Sequence, residues 1–216
     1  MFSVGHDEYW SWEMRDVLEN RIEKGLNVAW FTGNSVYWQT RHENDNTTMV
    51  CYKVPNNKDP IENDPEKKHL LTTIWSDPRL DRSENSLLGL SFNHGGYVRI
   101  GGATPLSAGG YQVYRPEHWV FENTGLRWVD QLGNEDFVVG YEVDGVSYTI
   151  DEEGYPVPTG KDGTPTSAII LGLAPASLWN KEETPQYILG KIPDSELVAM
   201  ALTGDRKNWR QFTRGN

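Results

Sequence analysis

Residues 11–25 constrain the fold of this 216-residue chain more than any other stretch. Ser11 is a side chain that caps helix N-termini, and Glu13 follows in the first turn, where the helix dipole favours an anion. Met14, Val17, Leu18 and Ile22 recur at helical spacing and predict an apolar stripe laid on a sheet. Gly25 closes the segment as a left-handed cap. The flanks are short and apolar: Phe2-Ser3-Val4 before, and residues 26–31 after, both reading as strands. A strand, a helix and a strand at this spacing make a parallel crossover. The polar segments that follow the two strands, residues 5–10 and residues 32–34, then fall at the carboxyl ends of neighbouring strands, the edge where open α/β sheets bind ligands.

Beyond this unit the pattern changes. A short helix is predicted over residues 35–41, a strand over 47–54 and a polar surface loop over 55–68. Short strands are predicted over 70–75, 87–92, 97–100, 111–114 and 168–173, separated by turns bearing Gly or Pro. Residues 137–143 and 146–150 flank Asp144-Gly145, a strong hairpin signal. Residues 196–203 read as a last strand or helix. The expectation is one α/β domain: a β-α-β unit over 1–46, a β-rich portion over 47–150 and a C-terminal portion over 151–216.

Nine Trp, ten Tyr and six Phe predict an aromatic core, while a net charge of −11 argues against a nucleic-acid partner. No run of eighteen apolar residues occurs, no leader precedes the first strand, and the single Cys51 excludes an internal disulfide. A cytoplasmic protein without membrane contact is the expectation.

The segment from Gly5 to Trp10 is the densest candidate site, with His6, Asp7, Glu8 and Tyr9 at a strand end. Its bland reading has Asp7 or Glu8 capping the helix and Tyr9 and Trp10 packing. The turn at Gly33-Asn34 sits where a nucleophile elbow would lie, yet holds neither a Cys nor a Gly-x-Ser-x-Gly motif. Cys51, alone on a strand, reads as a small hydrophobe. The five histidines show no metal-ligand spacing. Glu142 belongs to a strand end with Gly140 on its face, where a ligand could approach.

Several blocks resemble the C-terminal domain of the N,N-dimethylformamidase large subunit family. They are Gly5 to Asp16, Gly33-Asn34 with Trp38-Gln39 and Arg41, Thr48 to Lys53, His118 to Phe121 with Thr124-Gly125-Leu126, and Gly140 to Asp144. The resemblance implies a partial doubly wound sheet of the class I glutamine-amidotransferase type, without the catalytic cysteine and with a β-rich insertion. It implies an iron-dependent hydrolase of an amide C–N bond acting on a small molecule. A mononuclear ferric ion would be held by Tyr9, Tyr52 and Glu142, with Glu135 a competitor for the third place. Two phenolates and a carboxylate are hard anionic donors that balance a ferric charge, and a strong Lewis acid is what keeps phenols ionised at neutral pH. His6 or Glu8 would shuttle the proton and Asn34 would bind the substrate or oxyanion. Family members carry strands ahead of the Gly5 block. With only three strand residues at Phe2–Val4, that edge is expected to pair with another chain or subunit or to be covered by residues 196–203. The alternative is a monomer whose downstream strands complete the sheet. The competing readings are a non-catalytic module binding carbohydrate or a partner protein, and a structural remnant that needs partner strands. Metal content separates the first from both.

Overall fold

A computed structural model describes residues 1–97, 110–133, 135–136, 138–139 and 142–174. Their content is mixed α/β, in small sheets with few helices and no closed barrel. The chain divides into two compact units, the first being residues 1–92 with 159–166 and the second residues 93–158 with the chain from 167 onward. Among the described residues no helix is long and apolar enough to cross a membrane.

In the first unit β1 (Phe2–Val4) leads through residues 5–8 to β2 (Tyr9–Ser11), then α1 (Trp12–Glu23) and β3 (Ala29–Phe31). β1 and β3 pair in parallel, as the spacing predicts. Ser11 caps α1, its hydroxyl accepting from Met14 N at 3.3 Å, and Gly25 takes a φ of 92° just past the end. The predicted helix over residues 35–41 is instead β4 (Trp38–Glu43), parallel to β2 and antiparallel to β5 (Thr48–Val50). The reason is tertiary. Gln39 and Arg41 bury their polar ends against carbonyls of the segment around Leu70, which only an extended backbone reaches.

The helix stripe also differs from its prediction. Arg15 is fully buried and Leu18 nearly so, while Met14 and Val17 are 41% and 65% exposed. Met14 and Val17 line an open groove of about 680 Å³ with Met1, Trp10 and Leu26. Arg15 wins the inward place because its guanidinium lies 4.5 Å from the centroid of the buried Trp75 ring. It also donates to Glu19 and to the Arg82 and Ser83 carbonyls, so the charge is not left bare. Around Trp75 the core gathers Trp10, Leu18, Val36, Val54, Leu71 and Leu80.

Arg41, Glu84 and Asp59 are buried charges of the same unit, and Asp59 is bonded through both carboxylate oxygens. Arg41 grips it with two donors at 3.0 and 3.1 Å, and Thr72 adds its amide and its hydroxyl. The predicted surface loop over 55–68 therefore carries an inward anchor. Residues 70–75 form isolated bridges, Val54 with Thr73 and Trp38 with Ile74, rather than a full strand. The predicted strand over 87–92 divides into a helical turn, α2 (Asn85–Leu88), and the start of β6 (Ser91–Tyr97). Gly89 at a φ of 75° ends the turn.

The second unit contains β7 (Tyr111–Val113) flanked by β8 (Gln131–Leu132) and β12 (Gly172–Leu173). β9 (Glu142–Gly145) pairs with β6, and β10 (Tyr148–Ile150) pairs antiparallel with β11 (Pro156–Pro158). The expected hairpin at Asp144-Gly145 is thus absent; those residues lie inside β9. A Cβ on Gly145 would stand 2.0 Å from the His94 carbonyl oxygen, so glycine serves close backbone approach here, not a turn. The hairpin forms one step later, where Asp151 Oδ1 accepts from Glu153 N and Tyr155 N and Gly154 takes a φ of 89°. Residues 98–100 and 196–203, predicted as strand and as strand or helix, lie outside the described residues.

Three outcomes follow from these contacts. Burial alone would raise the Asp59 carboxyl, but the bonds from Arg41, Thr72 and Ile61 hold it down at about 2 against an ordinary 3.8. A carboxyl depressed on folding stabilises fully above its unfolded pKa and loses that effect as pH falls through the folded one. Stability should therefore drop by about 2 kcal/mol between pH 4 and pH 2, measured by urea melts across that range. Asp59→Asn should remove this contribution and cost about 3 kcal/mol at neutral pH, because Arg41 loses its buried counter-charge and keeps only the more exposed Glu43. Gly145→Ala should destabilise the second unit by about 1–3 kcal/mol, read from its thermal melt, since backbone must shift to admit the methyl.

Candidate functional site

The carboxyl ends of β1 and β3 bring together residues far apart in sequence. The amides of Val36, Tyr37 and Trp38 donate to the Asp7 and Glu8 carbonyls, locking residues 5–8 against residues 34–38. Asn34 sits in the left-handed region at a φ of 53°, which asparagine tolerates better than most residues. That bend carries its amide to Glu8, Nδ2 donating to Oε1 at 3.1 Å. Glu8 Oε2 lies 2.9 Å from His6 Nε2. The exposed imidazole and the buried amide are thus held by one carboxylate. The predicted catalytic residues His6, Glu8 and Asn34 stand together.

Asp7 does different work. It accepts from Ser3 Oγ at 2.5 Å and from Trp10 Nε1 at 2.8 Å, tying β1 to β2. Neither acid caps α1, since Ser11 does. Tyr9 opens β2, paired in register with Trp38. Its hydroxyl accepts a hydrogen bond of 2.6 Å from Lys53 Nζ, and the Glu8 carboxylate is close enough to act on it electrostatically. The Lys53 ammonium lies 4.9 Å from the Tyr9 ring centroid and 5.2 Å from that of Trp38. Burial pushes the Tyr9 phenol above 10, and Glu8 adds to the rise while Lys53 opposes it. Desolvation pulls the Lys53 ammonium down, yet Tyr9 and Glu8 outweigh it and its pKa is raised.

Lys53 is the residue the sequence reading left without a role. It stands inside the block Thr48 to Lys53, but its place here depends on a backbone φ of 54° that nothing in the composition announces. Tyr52, one residue earlier, packs its ring against the first unit's core, 6.0 Å from the Arg41 guanidinium carbon. Among the described residues no hydrogen bond joins the Tyr9 and Tyr52 hydroxyls. Glu142 is half-buried at the start of β9 and Glu135 is exposed, both in the second unit. Burial raises the Cys51 thiol above its ordinary value, and its sulfur lies 3.7 Å from the Gln39 carbonyl oxygen. That is an inert thiol, not a nucleophile.

The first unit's corner fits a cation. A phenol oxygen, a carboxylate and two aromatic faces surround one positive charge, the Lys53 ammonium. Among the described residues no cluster of three or more His, Cys, Asp or Glu is placed to hold a metal.

These features coincide with a match over most of the chain. The chain belongs to the N,N-dimethylformamidase beta subunit-like, C-terminal family. The family model covers residues 1–201, and so includes every residue of the corner. The family is related to an enzyme named for an amide, N,N-dimethylformamide. No curated protein and no solved structure matches the chain.

The electrostatics of the corner can be read directly. In a spectrophotometric titration two phenols of the described residues should ionise late, Tyr111 and, at the corner, Tyr9, the latter being the phenol that disappears in Tyr9→Phe. Glu8→Gln should bring that phenol down, because a neighbouring negative charge is removed. Lys53→Met should move it further up, because the stabilising cation is lost. Shifts in the opposite senses would contradict the arrangement.

Proposed function

We propose that this chain hydrolyses a carbon–nitrogen bond of a small amide with the corner at the carboxyl ends of β1 and β3. The observation that carries the reading is the convergence of His6, Glu8, Tyr9 and Asn34 at that edge, within a family related to dimethylformamidase. Tyr9, Tyr52 and Glu142 would hold a ferric ion, with Glu135 the other candidate for the carboxylate. When bound, such an ion supplies Lewis acidity that polarises a carbonyl and acidifies water.

The chain's own residues supply the rest. Glu8 accepts from His6 Nε2, which leaves Nδ1 as the basic nitrogen of the ring. His6 takes a proton from water as the water oxygen adds to the amide carbon. The same proton then goes to the nitrogen as the C–N bond breaks, giving an acid and an amine. Asn34, fixed by Glu8, donates to the substrate oxygen as charge builds there. Lys53 holds positive charge against Tyr9 and Trp38 and draws an electron-rich carbonyl toward the corner. The amidotransferase-like doubly wound sheet belongs to the same proposal, supported by the two parallel pairs β1–β3 and β2–β4. So does a partner subunit or second copy, which the beta-subunit description of the family supports.

The test is iron content together with turnover. After reconstitution with ferric iron the protein should show a visible tyrosinate charge-transfer band and release amine from small tertiary amides. Tyr9→Phe should lose both band and metal, because the ring stays and the donor oxygen goes. His6→Ala should keep the iron and lower kcat by about 100-fold or more. A wild-type protein that takes up no iron and cleaves no amide would defeat the proposal.

A further inference from the structure

The second unit holds a guanidinium, that of Arg115, with no carboxylate partner among the described residues. Arg115 follows β7 and leads into a single 3-10 turn over Trp119–Phe121, anchored by the buried Phe121. Its guanidinium carbon lies 4.4 Å from the centroid of the Tyr155 ring. Tyr155 is itself fixed, its amide bonded to Asp151 at 2.8 Å. The cation–π contact holds the guanidinium over that ring. No acceptor meets it among the described residues, and Nε is buried without a partner. An ionised donor shielded from water and left unbonded is costly, and most buried polar groups avoid that state.

The surroundings say what would complete it. Arg115, Glu117, His118, Trp119, Val157 and Ile169 are among the residues lining an open groove of about 500 Å³. Trp119 and Ile169 are large apolar side chains at 75% and 57% exposure. His118 Nδ1 accepts from Val120 N at 3.3 Å, so in the neutral ring the proton is on Nε2, a second donor on the groove wall. A fixed planar guanidinium matches a carboxylate with two parallel bonds. Glu117 sets one negative charge on the same wall, which penalises a dianion such as a phosphate ester more than a monoanion.

We infer that this groove binds a small monocarboxylate with an apolar or aromatic body, its carboxylate paired with Arg115 and its body against Trp119 and Ile169. The site lies wholly in the second unit, and its occupancy is independent of whether the first unit cleaves amides.

Titration of the whole chain with phenylacetate, followed by calorimetry and by tryptophan fluorescence, tests it. 2-Phenylethanol serves as the neutral comparator and phenyl phosphate as the dianion. Phenylacetate should bind at least 10-fold tighter than either. Arg115→Met should weaken it at least 10-fold, and Trp119→Ala about 5-fold, without altering 2-phenylethanol binding by more than the Trp119 change does. Tyr9→Phe should leave phenylacetate affinity unchanged, which separates this site from the corner in the first unit. Arg115→Lys and Trp119→Ala, the latter at an exposed position, carry the test if Arg115→Met fails to fold. Absence of binding at millimolar phenylacetate, equal affinity for the alcohol, tighter binding of phenyl phosphate, or indifference to the Arg115 variants that fold would overturn the assignment.

Discussion

The buried pair between Arg41 and Asp59 holds the first unit in its working shape. Arg41 projects from β4, and Asp59 sits in a segment otherwise rich in turns. Their two parallel bonds, with Thr72 on the same carboxylate and the Leu70 carbonyl on the same guanidinium, fasten that segment to the sheet. Between β5 and Asp59 the chain passes through Tyr52 and Lys53. The pair thus limits where those residues can lie, and Lys53 reaches Tyr9 on β2 because β4 is shared. Buried ion pairs gain little net stability over apolar replacements, yet losing one partner is expensive. That asymmetry suits a pair whose effect is to fix geometry.

Arginine has a second use here that follows from the composition. Leu and Val make up most of the buried core, but the rings beside them, Trp75 and Trp12 above all, leave flat faces that aliphatic side chains cover poorly. Arg15 covers Trp75, and Arg82 lies 4.5 Å from the centroid of Trp12. Glu19 binds both guanidinium groups at 2.8 and 2.5 Å, so the positive charges are balanced on the helix surface itself. Arg115 lies over Tyr155 without a carboxylate among the described residues, which is what sets it apart from the other two.

Much of the candidate site was legible because its residues are local. His6, Glu8 and Tyr9 lie within four positions of one another, and polar residues after a strand in a parallel crossover point to a ligand edge. Asn34 followed from the same argument one strand later. Lys53 could not be foreseen, since its contact spans 44 positions and requires a left-handed backbone. The helix predicted over residues 35–41 failed for a related reason. Gln39 and Arg41 look like solvent-facing helix formers until their buried partners near Leu70 are seen.

The sequence by itself determined the parallel pairing of β1 and β3 and the start and end of α1, whereas the aromatic core it predicts is mostly Leu and Val at its buried centre. The pairing and the helix ends depend on capping chemistry and spacing, which act within a few residues. The tertiary structure decided which face of α1 turns inward, that residues 38–43 extend, and that Asp144-Gly145 lies in a strand. Each of those turns on a partner distant in the chain: Trp75 for Arg15, the Leu70 segment for β4, and His94 for Gly145. Local preference is worth tenths of a kcal/mol to about one per residue. Burying an arginine against a ring, satisfying a guanidinium, or admitting a backbone at van der Waals distance is worth more, and so overrides it.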